Sequence, residues 1–317
     1  MTDTKPSIDD VTNRIQAIRS AVGRRIVGQQ EVVDNVLACM LCDGNALLES
    51  TPGLGKTLLV RTLAEVTGLS FSRIQNTPDL MPSDVVGTEM VRETETGRTF
   101  SFEKGPVFAN LVLSDEINRA TPKTQSALLE AMEEGQVTAG DETYDLPEPF
   151  FVLATQNPID QEGTYPLPEA QTDRFLLKVV VDYPTAEAER EIVDRYTGDV
   201  DASISVGEQV SPREFRTMQQ FTHQVPIADD LRDLAVDIVR DTRTAEDLEY
   251  GASPRASMSL VRAAKARALM EGRTHVSADD VTAMAKPVLR HRVVVDFRAE
   301  REGLTADDVV TSIVEDR

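Results

Sequence analysis

The residues with the clearest chemical potential lie in one short stretch, residues 47–57, which reads Leu-Leu-Glu-Ser-Thr-Pro-Gly-Leu-Gly-Lys-Thr. The stretch combines a short apolar strand, a Pro/Gly loop and the first turn of a helix, which is the layout of a phosphate-binding P-loop. Gly53 and Gly55 allow the backbone to turn its N–H groups toward an anion. We predict that Lys56 reaches the β- and γ-phosphates of a nucleoside triphosphate and that the Thr57 hydroxyl holds Mg²⁺.

One position departs from the usual pattern of such a loop. Ser50 stands where the pattern G-x-x-x-x-G-K-[ST] has its first glycine. A small residue is tolerable there if its φ angle is negative. The helix that follows, about residues 56–66, points the positive end of its dipole at the loop, and Gly68 caps it. The alternative is a chance Gly/Pro turn before a helix, and it leaves the strand and the Lys-Thr pair unexplained.

Hydrolysis of a bound nucleotide needs an acid that orders the metal and a group that orients or activates water. Asp115 and Glu116 directly follow the apolar run at residues 110–114, at the carboxyl end of a predicted strand, where open α/β sheets bind ligands. We predict that Asp115 anchors Mg²⁺ through its water shell and that Glu116 polarises the attacking water. Asn157 follows the apolar strand 150–154 and is predicted to reach the γ-phosphate or the water; its alternative is an ordinary turn before proline.

Two arginines complete the candidate electrostatics. Arg174 precedes the last predicted strand of the sheet, and Arg255 opens a helix in the C-terminal part of the chain. A surface salt bridge is the alternative interpretation for each of them.

The elements that must position these residues alternate between strand and helix over the first 182 residues or so, which predicts a parallel sheet covered by helices on both faces. Two β-hairpins are predicted within this part, at about residues 91–103 and 136–146. After Tyr183 and Pro184 every predicted element is a helix, and Pro287 is predicted to kink or break one of them. We therefore predict a P-loop-type α/β core at residues 1–183 and a smaller, all-helical lid domain at 184–317.

Composition limits the classes of function. The 317 residues carry a formal net charge of −21, which argues against a broad basic surface for nucleic acid. No run of about eighteen apolar residues and no signal peptide is present, so we expect a cytoplasmic protein without membrane insertion. Only seven of the 33 basic residues are lysines, and acid excess with scarce lysine resembles proteins of a high-salt cytoplasm; an acidic mesophilic protein is the alternative. Cys39 and Cys42 are expected to be core residues.

Taken together, these motifs resemble the AAA+ ATPases and, within them, the MoxR group. The resemblance covers nearly the whole chain. It rests on Ile26-Val-Gly-Gln29, Pro52-Gly-Leu-Gly-Lys-Thr57, Arg73-Ile-Gln-Asn-Thr-Pro-Asp-Leu80, Gly105-Pro-Val-Phe-Ala-Asn110, Asp115-Glu-Ile-Asn-Arg-Ala120, residues 122–134, Ala154-Thr-Gln-Asn-Pro158, residues 162–171 and Asp173-Arg-Phe175. Two positions depart from the family pattern, namely Ser50 and Asn76, where an apolar residue is more usual.

The resemblance implies roles for individual residues. Asn157 is similar to the sensor-1 residue, Arg174 to the arginine finger given to a neighbouring subunit, and Arg255 to sensor 2. The two hairpins resemble the helix-2 insert and the pre-sensor-1 hairpin, which face the ring pore in such proteins. The residues implied to bind ATP are Val27, Gly28, Thr51, Pro52, Gly53, Leu54, Gly55, Lys56, Thr57 and Leu58, and those implied to hold Mg²⁺ are Thr57 and Asp115.

The function implied is an ATP hydrolase that forms a ring, commonly a hexamer, and remodels or activates partner proteins as a chaperone-like factor. The resemblance implies partners with a von Willebrand factor A domain and, for some targets, insertion of metal ions. Two alternatives remain open: a nucleic-acid-dependent motor and a nucleotide-binding switch with little turnover. The net charge weighs against the motor, and Glu116 weighs against the switch.

Overall fold

The N-terminal part of the computed structural model is built on a five-stranded sheet, and the structure describes residues 7–94, 97–139, 142–158, 163–197 and 204–317. All five strands are parallel, in the order β2-β5-β8-β1-β9. The strands are β1 (Ala46–Ser50), β2 (Phe71–Gln75), β5 (Leu111–Asp115), β8 (Phe151–Gln156) and β9 (Leu177–Val181). The predicted parallel sheet is confirmed.

Helices and two hairpins surround this sheet. The helices are α1 (Ile8–Gly23), α2 (Gln30–Leu41), α3 (Lys56–Val66), α4 (Pro82–Val86), α5 (Pro122–Glu134), α6 (Glu169–Thr172) and α7 (Ala186–Thr197). The first hairpin pairs β3 (Gly87–Thr94) with β4 (Gly97–Lys104), and the second pairs β6 (Gln136–Ala139) with β7 (Glu142–Asp145). Both predicted hairpins are therefore present, and the first begins four residues earlier than expected.

The C-terminal part is mainly helical, as expected for a lid. Its helices are α8 (Pro212–Gln224), α9 (Asp229–Asp241), α10 (Pro254–Met270), α11 (Ala278–Leu289), α12 (Phe297–Arg301) and α13 (Ala306–Glu315). The prediction of an all-helical lid is wrong in one detail, because β10 (Leu248–Tyr250) pairs with β11 (Val294–Val295) as an antiparallel ribbon. These strands have three and two residues, and each forms only by pairing with a partner distant in sequence.

Helix α11 is not broken at Pro287, where a kink or a break was expected. It continues through Pro287 to Leu289, and Pro287 is buried within it. The helix begins at a strong N-terminal cap, because the backbone N–H and the hydroxyl of Ser277 both donate to Oδ2 of Asp280, at 2.9 and 2.8 Å. Pro287 has no backbone N–H to donate to the carbonyl oxygen of Ala283, so α11 continues past it with one intrahelical hydrogen bond fewer.

The hydrophobic core joins the two parts of the chain. One face of the sheet packs with α1, α2 and α3 and with the lid helices in a single cluster, in which the rings of Phe151 and Phe215 meet edge to face at 6.0 Å. The cluster includes both cysteines, and burial raises the pKa of the Cys42 thiol to about 12. Cys39 and Cys42 are thus core residues, as predicted.

None of the helices among the described residues combines the length and the apolar character required to cross a bilayer. The same residues contain no group of three or more His, Cys, Asp and Glu side chains arranged to hold a metal ion.

Candidate active site

The P-loop lies where the sequence placed it, between the carboxyl end of β1 and the start of α3. Gly53 and Gly55 have φ angles of +88° and +77°, in the region that favours glycine. Gly55 is the N-cap of α3, so Lys56 and Thr57 occupy its first turn, where free backbone N–H groups and the helix dipole favour an anion. The loop therefore has the backbone geometry of a phosphate site.

The Lys56 side chain is directed onto Ser50. Its Nζ donates to Ser50 Oγ at 2.6 Å, and Ser50 is buried. Burial lowers the pKa of Lys56 below its ordinary value, and the carboxylates of Asp115 and Glu116 oppose this shift. Among the described non-glycine residues only Asp43 and Glu116 have positive φ angles, so Ser50 meets the condition under which it can replace glycine.

The two acids lie at the carboxyl end of β5, one strand from β8 and two from β1. Oδ1 of Asp115 accepts a hydrogen bond from Thr155 Oγ1 at 2.7 Å, and its Oδ2 accepts one from Arg73 Nη2 at 2.5 Å. Asp115 is only 8% exposed, so both of its oxygens are held in a sheltered site. Sequence reasoning missed the roles of Arg73 and Thr155. Arg73 lies in the middle of β2 and Thr155 near the end of β8, the two strands that flank β5, and this relation can be recognised only once the strand order is known.

Glu116 has a left-handed backbone, with a φ angle of +56°. This conformation is uncommon for a residue other than glycine and is found at functional turns. The Glu116 N–H donates to Thr155 Oγ1 at 2.8 Å, and Glu116 Oε2 accepts from Gln75 Nε2 at 3.1 Å and lies 3.3 Å from Arg119 Nε. The carboxylate is thus oriented by two side chains that the sequence did not identify.

The departure at Asn76 also has a structural explanation. Asn76 is buried, and its Nδ2 donates to Ser114 Oγ and to the Asp115 carbonyl oxygen, both at 2.8 Å. The side chain fastens the end of β2 to the end of β5. An amide at this position therefore supports the acidic pair instead of disturbing the core.

Asn157 lies at the tip of β8, which runs between β1 and β5. It is buried, at 7% exposure. Strand order therefore places it between the P-loop and the two acids. Lys56, Thr57, Asp115, Glu116 and Asn157 gather at one edge of the sheet because all five strands are parallel and end there.

The donor set fits Mg²⁺. The Thr57 hydroxyl and the Asp115 carboxylate are hard oxygen donors on the same edge of the sheet, after β1 and at the end of β5, and Mg²⁺ in nucleotide sites is held by one or two such groups together with phosphate and water. Thr51 Oγ1 is buried in the P-loop without a hydrogen-bond partner, which is a further polar atom available to a ligand.

A small cavity adjoins the P-loop on the side of α7. It measures about 140 Å³, and its lining includes Val27, Gly53, Leu54, Gly55 and Leu58, together with Pro184, Ile192 and Tyr196. The predicted adenine-pocket residue Val27 thus lies in the cavity wall, next to Gly28. The contribution of Pro184, Ile192 and Tyr196 was missed, since no local pattern connects α7 with the P-loop.

Helix α7 is fastened to this pocket at two points. Tyr196 Oη donates to the Arg25 carbonyl oxygen at 2.8 Å, and Arg195 Nη1 donates to that of Arg24 at 2.5 Å. Gly28 has a φ angle of +71°, and a Cβ added there would lie 2.5 Å from the Cβ of Ala188. Glycine at this position is therefore required by both conformation and close packing.

The two candidate arginines lie away from the P-loop of their own subunit. Arg174 stands three residues before β9, at the level of Asn45, because the Leu176 N–H donates to the Asn45 carbonyl oxygen at 2.8 Å. The P-loop follows Ser50, at the other end of β1. Five strand residues separate the two edges, which amounts to about 17 Å.

Both guanidinium groups contact the same carboxylate. Arg174 Nη1 lies 3.1 Å from Glu133 Oε2, and Arg255 Nη1 lies 3.3 Å from Glu133 Oε1. The structure therefore brings Arg174 and Arg255 together with each other, and it does not bring either of them to Lys56.

Comparison with known proteins agrees with this geometry. The sequence profile described as "ATPase family associated with various cellular activities (AAA)" matches residues 45–177, and the profile described as "AAA lid domain" matches residues 240–313. The chain is 44% identical over 307 residues to Chaperone MoxR1 of Mycobacterium tuberculosis, covering 93% of this chain and 79% of that protein. The chain belongs to the AAA ATPase family.

Further similarities extend over nearly the whole length of this AAA ATPase. Protein MoxR of Paracoccus denitrificans is 31% identical over 326 residues, with 94% of each chain covered. The crystal structure of a candidate ATPase from Cytophaga hutchinsonii superimposes with a TM-score of 0.88 at 40% identity, covering 96% of this chain and 94% of that one. The AAA profile spans all the candidate site residues from Lys56 to Arg174, and the lid profile includes Arg255.

Proposed function

We propose that this AAA ATPase is a Mg²⁺-dependent ATP hydrolase whose active sites form between subunits of a ring, with a hexamer as the expected size. The observation that supports this most directly is the position of Arg174, about 17 Å from the P-loop edge of its own sheet. That span exceeds the reach of one arginine side chain. A neighbouring subunit would therefore supply Arg174 as its finger and Arg255 as sensor 2.

Within one subunit each residue at the carboxyl edge has a distinct role. Lys56 and the backbone N–H groups of the P-loop bind the phosphates, and the pocket beside α7 takes the adenine ring. Thr57 and Asp115 would hold Mg²⁺. When bound, this ion would neutralise negative charge on the phosphates. Glu116, held by Gln75 and Arg119, polarises the attacking water, and Asn157 orients it.

The cellular role we propose is that of a chaperone-like remodeller that assembles or activates partner proteins. The similarity to Chaperone MoxR1 and to Protein MoxR supports it. We propose partners that carry a von Willebrand factor A domain, with metal insertion as one form of activation. The location proposed is cytoplasmic, and the acidic composition supports a high-salt cytoplasm.

The test is ATP hydrolysis as a function of protein concentration, measured in molar KCl for wild type, Arg174→Ala and Glu116→Gln. We expect turnover per subunit to rise with concentration and to be lost in both variants, while ATP binding is kept. Removal of an arginine finger costs on the order of 10³–10⁵ in turnover. Turnover that is independent of concentration in monomeric protein, and unchanged in Arg174→Ala, would rule out the shared site.

A partner assay separates the remodeller from the nucleic-acid motor. Single-stranded and duplex DNA are added to one set of reactions and a candidate partner protein to another. Stimulation by the protein alone is expected. Stimulation by DNA alone would favour the motor, and absence of turnover in the assembled protein would favour the switch.

A further inference from the structure

We propose that Glu133 is a positioning residue that holds Arg174 and Arg255 as a pair, so that both guanidinium groups meet one phosphate in the neighbouring subunit. This inference rests on the proposed shared site. Glu133 lies in the last turn of α5, and its two carboxylate oxygens are divided between the two arginines, at 3.1 and 3.3 Å.

The pairing needs a carboxylate at this point. Two guanidinium groups that are both directed at one phosphate carry like charges and repel each other. A carboxylate shared between them offsets this repulsion. Arg174 Nη1 also faces the Leu129 carbonyl oxygen at 3.5 Å, one turn before Glu133, where the negative end of the α5 dipole favours a cation. The end of α5 thus binds the arginine that comes from the core and the one that comes from the lid.

The backbones of the two arginines are tied together independently. Ser253 is the N-cap of α10, and its Oγ accepts from the Arg255 N–H at 3.2 Å and donates to Asp173 Oδ2 at 3.0 Å. Asp173 directly precedes Arg174. One hydroxyl therefore connects the start of the lid helix with the residue beside the candidate finger.

Arg292, from the lid, binds the segment 173–175 that contains Arg174. Its Nε donates to Asp173 Oδ1 at 2.7 Å and its Nη2 to the Phe175 carbonyl oxygen at 2.6 Å, and its side chain is only 2% exposed. With the backbones fixed in this way, the remaining freedom of Arg174 and Arg255 is in their side chains. Glu133 removes that freedom at the guanidinium end.

The side chains of Arg174, Glu133 and Arg255 remain 31%, 33% and 48% exposed. They are therefore accessible to a nucleotide carried by another subunit while they are held in place. Geometry of this kind increases rate more than affinity, since a displacement of 1 Å can cost about 100-fold in rate. Loss of Glu133 should consequently lower kcat and leave nucleotide affinity unchanged.

The test compares Glu133→Gln with Glu134→Gln, a matched change at the next residue of the same helix. We expect kcat for ATP to fall about 100-fold in Glu133→Gln and to stay at the wild-type value in Glu134→Gln. The affinity for a fluorescent ADP analogue and the melting temperature should be alike in all three proteins. Glu133→Asp keeps the charge but withdraws the carboxylate by one methylene from both arginines, and it should also lose turnover.

Rings assembled from two variants then show whether Glu133 acts on the active site of its own subunit or on that of a neighbour. Subunits with Glu133→Gln keep an intact site of their own, and subunits with Glu116→Gln keep an intact arginine pair. Co-assembly of these two inactive proteins should restore turnover, because each intact site then receives arginines from a neighbour. Wild-type kcat in Glu133→Gln, or failure to recover in the mixture, would overturn the role of Glu133.

A second mixture distinguishes this inference from the proposed function itself. Arg174→Ala subunits are co-assembled with Glu116→Gln subunits under the same conditions. Recovery here, together with normal turnover in Glu133→Gln alone, would reject only the role of Glu133. Absence of recovery in the Arg174→Ala mixture would reject the shared site.

Discussion

The ammonium group of Lys56 donates a hydrogen bond to the side-chain hydroxyl of Ser50 across 2.6 Å. Its other acceptors are the backbone carbonyl oxygens of Ser50 and Thr51, each at 3.3 Å. The residue that departs from the usual P-loop pattern thus provides the shortest contact of the lysine expected to bind phosphate. A phosphate that binds Lys56 would compete with this hydroxyl for the ammonium group.

Substitution Ser50→Ala is therefore expected to tighten ATP binding. A hydrogen bond to a charged group contributes about 1.5 kcal/mol, which corresponds to roughly a tenfold change in Kd. Isothermal titration with ATP in the absence of divalent metal measures this change without hydrolysis. Ser50→Thr keeps the hydroxyl and serves as the control, with a Kd near the wild-type value. Weaker binding by Ser50→Ala would mean that the hydroxyl holds Lys56 ready for phosphate.

Arg73 is expected to compete with the metal for Asp115. Its guanidinium group already neutralises the carboxylate oxygen Oδ2, while Thr155 occupies Oδ1. Arg73→Gln should increase the affinity of the nucleotide-bound protein for Mn²⁺ by several-fold, as measured by electron paramagnetic resonance with a non-hydrolysable ATP analogue. Arg61→Gln is the control, since Arg61 lies over the ring of Phe71, two residues before Arg73 on β2. Equal or weaker Mn²⁺ binding in Arg73→Gln would contradict the competition.

Gly28→Ala is expected to weaken nucleotide binding by displacing α7. The added Cβ would lie 2.5 Å from Ala188, and α7 forms one wall of the candidate adenine pocket. Gly272→Ala is a matched control, because Gly272 has a similar φ angle of +72° but its added Cβ would lie 3.4 Å from Thr12. Both variants should lose about 1 kcal/mol of stability from the backbone conformation, and only Gly28→Ala should raise the Kd for ADP. A common effect on Kd would show that α7 does not shape the pocket.

Asp280 is expected to make stability depend on pH at the acidic end. Burial acts to raise the pKa of Asp280, but hydrogen bonds from Ser277, Arg267 and Arg273 outweigh it and hold the pKa below its ordinary value. Its contribution is therefore fully present above the unfolded pKa of about 3.9 and is lost as the pH falls through the lower folded pKa.

Urea unfolding of Asp280→Asn measures this contribution. At pH 7 the variant should be about 2 kcal/mol less stable than wild type, since it loses charge-assisted hydrogen bonds at a buried position. The difference should shrink as the pH is lowered below about 4. A difference that stays constant down to the acid limit would assign the effect to packing alone.

Local sequence predicted those elements of the candidate site that are formed by a single continuous segment of the chain. The P-loop needs only a strand, two glycines and a helix start in succession, and it was found at residues 47–57. The start of the first helix, Ile8–Gly23, is likewise local, because its capping box lies within the four consecutive residues from Ser7 to Asp10. The short ribbon of β10 and β11 was missed for the opposite reason, since its strands are more than 40 residues apart.

The sequence by itself determined which groups the protein has for chemistry: a phosphate loop, Asp115 and Glu116 after a buried strand, a polar strand tip at Asn157 and two arginines. These follow from short-range patterns, because backbone geometry and burial of a strand or helix are set by neighbouring residues. Only the tertiary structure determined which other side chains these groups contact. The strand order placed Arg73 and Thr155 on Asp115, and the meeting of the end of α5 with the segment before β9 and the start of α10 placed Arg174 and Arg255 on Glu133. Such contacts join segments that are far apart in the chain, and no local pattern specifies them.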